Sequence, residues 1–377
     1  LVNGIVGYGS RIFYGCTAVK FIIGTNCNLK YGARVIDSIL GDNSTISCCE
    51  VLNNLIFPAH EQHHNNSFLI ASCLMGQSNM AAGATVGSNH NSRSNDNEVV
   101  AGRGFWPGLC TSVKHSSVFA SYVLLAKGAY PAEMNIKLPF SMVSNNETEG
   151  RLEIVPAFWW LYNMYALARN SWKYQTRDKR VTKVQNIEFD TYAPDSMEEV
   201  FEARALLEEW IGRAYLGKEA EGLEAEKLRE RGRYLLMKNP MAVDSLEVLA
   251  PGAEKSSRKV LVRHPRKAYE AYGDMIVHYA MTNVLRYMEK HPEEKLMSLN
   301  SLVEGERTTL WTNLGGQIMK TSDVDALRAD IGSGALAGWD AIHRRYDELW
   351  ERYPNDKLIH SIQMLRDLYE MDHISDC

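Results

Sequence analysis

The amino-acid sequence predicts a three-sided β-solenoid over residues 1–140 and an α-helical domain over residues 196–377. Three patterns favour this division. In the first third of the chain, an apolar residue recurs every six positions, often with a small residue four places after it. Corresponding apolar residues also recur at an interval of 17. Beyond residue 196 the apolar residues follow the period of an α-helix instead.

The clearest repeats lie between Phe68 and Asn91, where four hexads follow one another without a break. One flat face of a triangular solenoid takes about six residues, so about three hexads make one coil. The large residue fills the middle of a face, and the small one sits where the corner is tight. Backbone hydrogen bonds run to the coils above and below, so neighbouring coils share one apolar core.

The interval of 17 links Val6, Ile23 and Leu40, and it fits three faces with one shortened corner. The hexad phase is interrupted twice, over residues 58–67 and again over residues 91–112. We therefore predict two loop insertions in the solenoid. Long loops in compact proteins are often functional, so both insertions are candidate parts of a site.

The region after the solenoid, residues 141–195, is predicted to be a linker that contains an aromatic docking helix. This helix covers about residues 157–172, and a run of basic residues follows it. The spacing of Ser196 and Glu199 is that of a capping box at a helix start. Further helices are predicted over these segments: 217–232, 266–289, 335–351 and 357–371.

Composition sets broad limits on function. The net charge of −5 gives no reason to expect nucleic acid binding, and no apolar run is long enough for a membrane span. The seven cysteines are odd in number and form no CxxC pair, which favours reduced thiols and a cytoplasmic location. The chain begins at Leu1, already close to the repeat phase, so we expect it to be part of a longer protein.

The repeats, such as Leu40–Thr45, resemble the hexapeptide-repeat, left-handed β-helix superfamily, also called LpxA-like, over about residues 1–140. The stretches Gly87–Arg93 and Gly102–Leu109 are similar to a bacterial domain-of-unknown-function family. The resemblance implies left-handed winding, a homotrimer, and sites that lie between subunits under loops that leave the coils. It also implies a transferase, most simply one that moves an acyl group to a sugar or a sugar-nucleotide-like substrate.

Acyl transfer to a hydroxyl or amine needs a base that titrates near neutral pH, which histidine supplies. Our ranking of the candidate bases is His90, then His64, then His115. Backbone N–H groups around Gly83 or Gly87 are candidate donors for the developing oxyanion. No bound cofactor is expected, and acyl-CoA or a nucleotide-sugar is the possible co-substrate. The alternative for each histidine is a hydrogen-bonded corner residue without catalytic function.

Several residues in or beside the second insertion are candidates for binding a small-molecule ligand. Arg can hold a phosphate with a bidentate fork, and Trp can stack on a base or cover a pantetheine arm. For the aromatic residue, the alternative is a plug that closes the loop on the solenoid. The candidates are Asn89, Asn91, Arg93, Arg103, Trp106 and Lys114.

Two other functions stay open. Zinc catalysis can use three histidines and an open water position, as in γ-carbonic-anhydrase-like proteins. The solenoid half offers five histidines for such a site, but their spacing does not match that pattern closely: His60, His63, His64, His90 and His115. The adjacent His63 and His64 would point in opposite directions on a strand, so no metal ligand is assigned. The other possibility is a non-catalytic oligomeric scaffold whose helical domain binds a partner.

Overall fold

The structure is a computed structural model that describes residues 1–88, 97–303 and 305–371. It confirms the predicted fold class, because it is a parallel β-solenoid of about eight coils with α-helices in its C-terminal part. The strands of the coils are short because each one spans a single flat face. They are β1 Val2–Val6, β2 Arg11–Ile12, β3 Thr17–Ile23, β4 Asn28–Lys30, β5 Arg34–Leu40, β6 Thr45–Ser47, β7 Glu50–Leu52, β8 Leu55–Ile56, β9 Glu61–Gln62, β10 Phe68–Ile70, β11 Ser72–Leu74, β12 Thr85–Ser88, β13 Val99–Ala101, β14 Trp106–Pro107, β15 Ser112–Lys114, β16 Val118–Phe119, β17 Leu124–Leu125, β18 Ala129–Tyr130, β19 Asn135–Ile136 and β20 Met142–Asn146.

Parallel pairing stacks these strands into three faces. The first face has the order β3-β5-β7-β10-β12-β15-β18, and the second has the order β1-β3-β5-β8-β11-β13-β16-β19. The third face joins β2-β4-β6-β9 to β14-β17-β20 through a bridge between Glu61 and Asn79. Val6 pairs with Ile23, and Ile23 pairs with Leu40, as the interval of 17 predicts. The hexad pattern therefore identified the true register of these coils.

The corners of the solenoid are made by residues in the left-handed backbone region. The first corner, between the first and second faces, uses Asn3, Lys20, Asp37, Asn53, Ala71 and Ser116. A positive φ costs free energy in residues other than Gly, and this cost is smaller for Asn than for most residues. Gly and Asn are therefore favoured where the chain must turn sharply. One such turn per face lets the chain change direction without a long loop.

The predicted insertion at residues 58–67 is wrong. This stretch contains β9, and Glu61 pairs in parallel with Thr45. Ala59 takes the left-handed conformation at φ 66°, so the chain turns the corner in the usual way. The second predicted insertion, 91–112, is too long. Strands β13 and β14 lie within it in regular register, so the extra residues fall between β12 and β13.

A segment that we call the strap, residues 157–184, lies along the third face. It contains helices α1, Phe158–Tyr162, and α2, Met164–Arg177, which together correspond to the predicted aromatic helix. Trp159 stacks on Trp106 at 5.5 Å between ring centroids, and the Tyr174 hydroxyl donates to the Gln77 carbonyl at 3.0 Å. The strap therefore shields this face from solvent.

The last coil is closed by chain that comes from further along the sequence. Strand β21, Arg151–Val155, pairs antiparallel with β20 and parallel with β22, Val260–Val262. Met134 of the last coil forms an antiparallel bridge with Glu254. A terminal coil has no neighbour on one side, and this segment satisfies its backbone and covers its apolar row.

The chain divides into two compact units, of which the first comprises Leu1–Val184 and Glu202–Ala271, and the second comprises Gln185–Phe201 and Tyr272–Cys377. This division differs from the expected boundary at residue 196. The helices after the strap are α3 Pro194–Leu216, α4 Ala225–Lys238, α5 Pro240–Val243, α6 Pro265–Lys290, α7 Thr321–Ser333 and α8 Trp339–Tyr369. None of the helices in the described ranges combines the length and the apolar character that crossing a membrane requires.

The second unit packs α6 and α8 around an apolar core that includes Ala280, Leu299 and Ile362. It also contains a hairpin of β23, Trp311–Leu314, and β24, Gln317–Lys320. His360 is buried in this unit, where its ring nitrogens meet the Tyr279 hydroxyl at 3.0 Å and the Glu198 carboxylate at 2.7 Å.

Candidate functional site at the insertion corner

Both described ends of the second insertion are held by the same corner of the solenoid. Ser88, the last described residue before the insertion, pairs with Lys114. Asn97, the first described residue after it, exchanges backbone bonds with the next coil: its carbonyl accepts from Ser116 N–H at 3.0 Å, and its own N–H donates to Ser116 Oγ at 3.2 Å. We call residues 114–117 together with Asn97 the insertion corner.

His115 is the sequence-predicted base that lies at this corner. Its side chain is fully buried, and its Nδ1 lies 2.9 Å from Ser116 Oγ. Ser116 takes the left-handed conformation that turns the chain from β15 to β16, and this turn carries the imidazole inwards. Because Ser116 occupies the Nδ1 side, a substrate proton would have to be taken by Nε2.

The corner is rigidly built and carries positive charge at its edge. Ser117 Oγ donates to the Lys114 carbonyl at 2.9 Å and accepts from Met134 N–H at 3.1 Å, which ties the corner to the last coil. The Lys114 ammonium lies 3.3 Å from the Glu133 carboxylate, which Lys255 also meets at 2.8 Å. The hydrogen bond from Lys255, aided by Lys114, lowers the pKa of the Glu133 carboxyl. Two ammonium groups thus share one carboxylate, so the edge stays cationic.

The other predicted site residues do not converge on this corner. His64 is exposed and packs on His63 at 4.4 Å between ring centroids, in the coil that was expected to be an insertion. Trp106 is covered by Trp159 of the strap. The remaining predicted residues, Asn89, His90, Asn91 and Arg93, lie outside the described residues.

Arg103 is held in the interior and offers no surface for a solvent-borne anion. Only 2% of it is exposed, and its Nη1 donates to the Tyr122 hydroxyl at 3.1 Å. That hydroxyl in turn donates to Gln77 Oε1 at 2.8 Å. The expected anion clamp is therefore not assembled from Arg103 and Trp106, because a long side chain at an inward corner position turns into the polar interior.

The histidines considered as metal ligands also lie apart. His60 is fully buried inside the solenoid, with its ring nitrogens 2.8 Å from Ser78 Oγ and 3.1 Å from Gln62 Oε1. Burial lowers the pKa of His60 to about 4, even though the bond to Gln62 opposes the shift. Its two nitrogens already have partners, so His60 is a hydrogen-bonded interior residue. His115 lies in a different coil and at a different corner.

Sequence reasoning missed four residues of the corner: Asn97, Ser116, Glu133 and Lys255. The Ser116-Ser117 pair directly after His115 was a usable signal, since small hydroxyl residues suit a corner and bond to the backbone. Glu133 and Lys255 gave no signal, because they are 122 residues apart in sequence and meet only through the closing segment.

Comparison with known proteins gives one clear sequence relative. The chain is 47% identical over 368 residues to an uncharacterized protein of Treponema pallidum (strain Nichols), a match that covers 97% of this chain. It covers 49% of the relative, so the chain spans about half the length of that protein. No family model matches the chain.

Among solved structures, the chain has a partial likeness to the UDP-N-acetylglucosamine acyltransferase of Francisella novicida. The TM-score is 0.31 and the sequence identity is 14%, over 71% of this chain and 87% of that protein. The fold assignment rests on the strand pairing described above.

Proposed function

We propose that this chain is a hexapeptide-repeat transferase that moves an acyl group from a thioester to a sugar or sugar-nucleotide-like acceptor at the insertion corner. The observation that carries the proposal is the attachment of both insertion ends to the turn that contains His115. The corner is rigid, carries a cationic edge and holds both described ends of the second insertion, so it can support the groups that acyl transfer needs. Acyl-CoA or a nucleotide-sugar is the co-substrate.

The roles follow from the contacts. His90 is the first candidate for the general base that removes the proton from the acceptor hydroxyl or amine. His115 is the second candidate, but its imidazole is fully buried, so it can act through Nε2 only where the acceptor reaches the interior of the corner. Ser116 positions the imidazole through Nδ1. Lys114 and the exposed Lys255 attract the phosphates of the donor or acceptor. We give His64 no part in this mechanism, because it lies beside His63 in another coil.

The test measures thiol release from acetyl-CoA with a panel of sugar nucleotides as acceptors. His115→Gln or His90→Gln should lower turnover by about a hundredfold or more, as loss of a general base does. His64→Gln is the matched control and should stay within about twofold of the unaltered chain, because a general base must reach the reacting atoms. Unaltered melting temperatures would show that each variant folds. The proposal fails if both His115→Gln and His90→Gln retain full turnover.

A second candidate function, a non-catalytic oligomeric scaffold, is favoured by the outer surface of the second face. On this surface, outward-facing residues of successive coils pair in register and form a ladder of six aliphatic residues and one cysteine. Five of the seven residues are 40% exposed or more. The ladder comprises Ile5, Ile22, Ile39, Leu55, Cys73, Val100 and Val118. At about 4.8 Å per step it is about 29 Å long. An uninterrupted apolar row of this length is typical of a protein interface.

We propose that the ladder joins copies of this chain into a homo-oligomer, a trimer by the resemblance of its repeats. Analytical ultracentrifugation tests this with Ile22→Asp and Ile39→Asp combined, which should yield monomers. Thr17→Asp on the first face is the control and should leave the assembly intact. A scaffold without catalysis would show this assembly but no turnover with any donor. We further propose a cytoplasmic location, in keeping with the free thiols of the six cysteines in the described residues.

A further inference from the structure

A group of cationic and aromatic side chains on the strap is not used by the insertion corner. Residues 157–184 contain six basic residues and one acidic residue, Asp178, in a chain with a net charge of −5. Three of the cations, Arg169, Lys173 and Arg177, are spaced four residues apart on α2 and so share one side of the helix. This concentration of charge requires a physical explanation.

Part of the charge is explained by the solenoid surface beneath the strap. Glu61 of β9 lies 3.8 Å from the Lys173 ammonium and 3.4 Å from Arg177 Nη1. His63 Nδ1 also lies 2.9 Å from the same carboxylate. One carboxylate therefore faces two permanent cations and an imidazole, and Arg169 forms no ion pair with any residue in the described ranges.

Burial and the neighbouring cations both act on the Lys173 ammonium. Partial burial lowers the pKa of the Lys173 ammonium, and the nearby charges of Arg177 and Arg169 lower it further, although Glu61 opposes them. Glu61 is the one carboxylate that pairs with Lys173 and Arg177 in the described ranges, so the group keeps a net positive charge. A second anion bound between the three cations would relieve this repulsion.

The cations are open to solvent, as a binding site requires. The Arg177 side chain is 61% exposed, that of His63 is 34% exposed, and that of Lys173 is 21% exposed. His64, whose ring lies beside that of His63, is exposed as well. The site offers N–H donors from two guanidinium groups, one ammonium group and two imidazoles. A diphosphate has enough oxygens to accept from most of these donors, whereas a carboxylate could accept from only a few of them.

Aromatic side chains border the cations on the same exposed surface. Tyr165 and Trp172 are 77% and 65% exposed, and they are seven residues apart, so they lie on one side of α2 two turns from each other. Arg169 is four residues after Tyr165 and three before Trp172, which places it between the aromatic row and the other cations. A planar base can stack on Trp172 while its phosphates reach the cations.

We propose that α2 and the corner after β9 form a binding site for a nucleoside diphosphate or a closely related pyrophosphate ester. Arg169, Lys173 and Arg177 hold the pyrophosphate, His63 and His64 add donors at its edge, and Trp172 stacks on the base. The site belongs to a different coil from the insertion corner and does not depend on catalysis there.

Isothermal titration calorimetry of the full chain at low salt tests the proposal with two probes, inorganic pyrophosphate and uridine diphosphate. Both should bind, the second more tightly. Arg169→Ala and Arg177→Ala should each weaken pyrophosphate binding about fivefold or more, in line with a charge-assisted contact at a partly exposed site. Lys227→Ala removes one exposed charge on α4 and should change neither affinity.

Trp172→Leu separates the two parts of the site. It should bring the affinity for uridine diphosphate down to that for pyrophosphate, while pyrophosphate binding stays unchanged. His115→Gln should leave both affinities unchanged, because His115 lies in a different coil. The result of the acyl-transfer test at the insertion corner is therefore independent of the result of this binding test. The proposal is overturned if pyrophosphate at about 1 mM gives no binding, or if the arginine variants bind like Lys227→Ala. Tighter binding of a single-stranded oligonucleotide through the same residues would overturn the small-molecule assignment.

Discussion

Replacing Arg180 by methionine should destabilise the first unit by about 3–5 kcal/mol, the cost of breaking a buried ion pair by removing one partner. Its side chain is 2% exposed, and its guanidinium lies 2.9 Å from the carboxylate of Asp42, in the turn between β5 and β6. The same guanidinium donates two hydrogen bonds to the Asp178 carboxylate, from Nε at 2.8 Å and from Nη2 at 3.0 Å. Arg180→Met keeps much of the side-chain volume but leaves two carboxylates without this cation. Asp42 is 6% exposed, so water cannot easily replace the lost charge.

The matched control is Lys183→Met, which removes a cation from the same partner. Lys183 lies 3.6 Å from Asp178 but is 60% exposed, so its loss should cost less than about 1 kcal/mol. Urea unfolding followed by circular dichroism measures both variants. Equal urea midpoints for the two variants would refute the claim that burial makes the Arg180 pair strong.

The pH dependence of stability is a second measurement of the same interaction. Burial alone raises the pKa of Asp178, yet the bonds from Arg180 outweigh it and bring that pKa down to about 2. This contribution to stability is therefore present above about pH 4 and lost as the pH falls towards 2.

Three further predictions concern the solenoid and the second unit. The pKa of His60 is about 4 in the folded chain and about 6.5 in the unfolded chain, so the free energy of unfolding should fall by up to about 3 kcal/mol between pH 6.5 and pH 4. In His60→Asn, the free energy of unfolding measured in urea should depend less on pH over this range. Leu69→Ala in the solenoid interior should cost about 2–5 kcal/mol, whereas Leu109→Ala, at a residue that is 58% exposed, should cost less than half as much, and equal urea midpoints would contradict the assigned interior. His360→Ala should cost about 2–4 kcal/mol in thermal unfolding because it leaves the buried Glu198 without one bond, and an unchanged melting temperature would contradict this.

The repeat pattern predicted the solenoid well because coil register is recorded in inward-facing residues. Val6, Ile23 and Leu40 occupy equivalent positions, and each pairs with the next as the sequence interval requires. The narrow interior requires an apolar side chain at regular intervals along the chain, so a six-residue recurrence of such residues leaves few alternative folds. The same argument explains why Leu74, Met80 and Val86 were predicted correctly as interior residues. The first hexad was assigned one residue too early, because Leu69 is fully buried and Phe68 is half-buried.

The stretch 58–67 was misinterpreted because its interior residues are polar. His60 and Gln62 are buried and bond to each other at 3.1 Å, and Gln62 Nε2 donates to Ser67 Oγ at 3.0 Å. A pattern that identifies inward positions by apolar character fails where a hydrogen-bonded network fills the core instead. Buried polar groups are stable there because each has a partner. No feature of the sequence alone shows that such partners exist.

Helix boundaries were predicted less well than helix positions. The predicted segments 335–351 and 357–371 form one helix, α8, which continues through Pro354. The start of α3 lies at Pro194, and Ser196 Oγ donates to the Thr191 carbonyl inside the first turn, so Ser196 is not the capping residue. Proline suits the first turn of a helix because its missing N–H would have no partner there.

The candidate sites were harder to predict than the fold because they depend on residues that point outwards. Outward positions of a solenoid face tolerate any side chain, so the repeat does not reveal which of them will be covered. Asp42 and Glu61 both face the strap, yet their partners are 138 and 116 residues away in sequence. Arg180 buries its charge against Asp42, whereas Arg177 remains largely exposed beside Glu61. The basic residues of the strap therefore have two different surroundings. Arg180 neutralises the buried Asp42 carboxylate, whereas Arg177 beside Glu61 leaves positive charge available to a ligand.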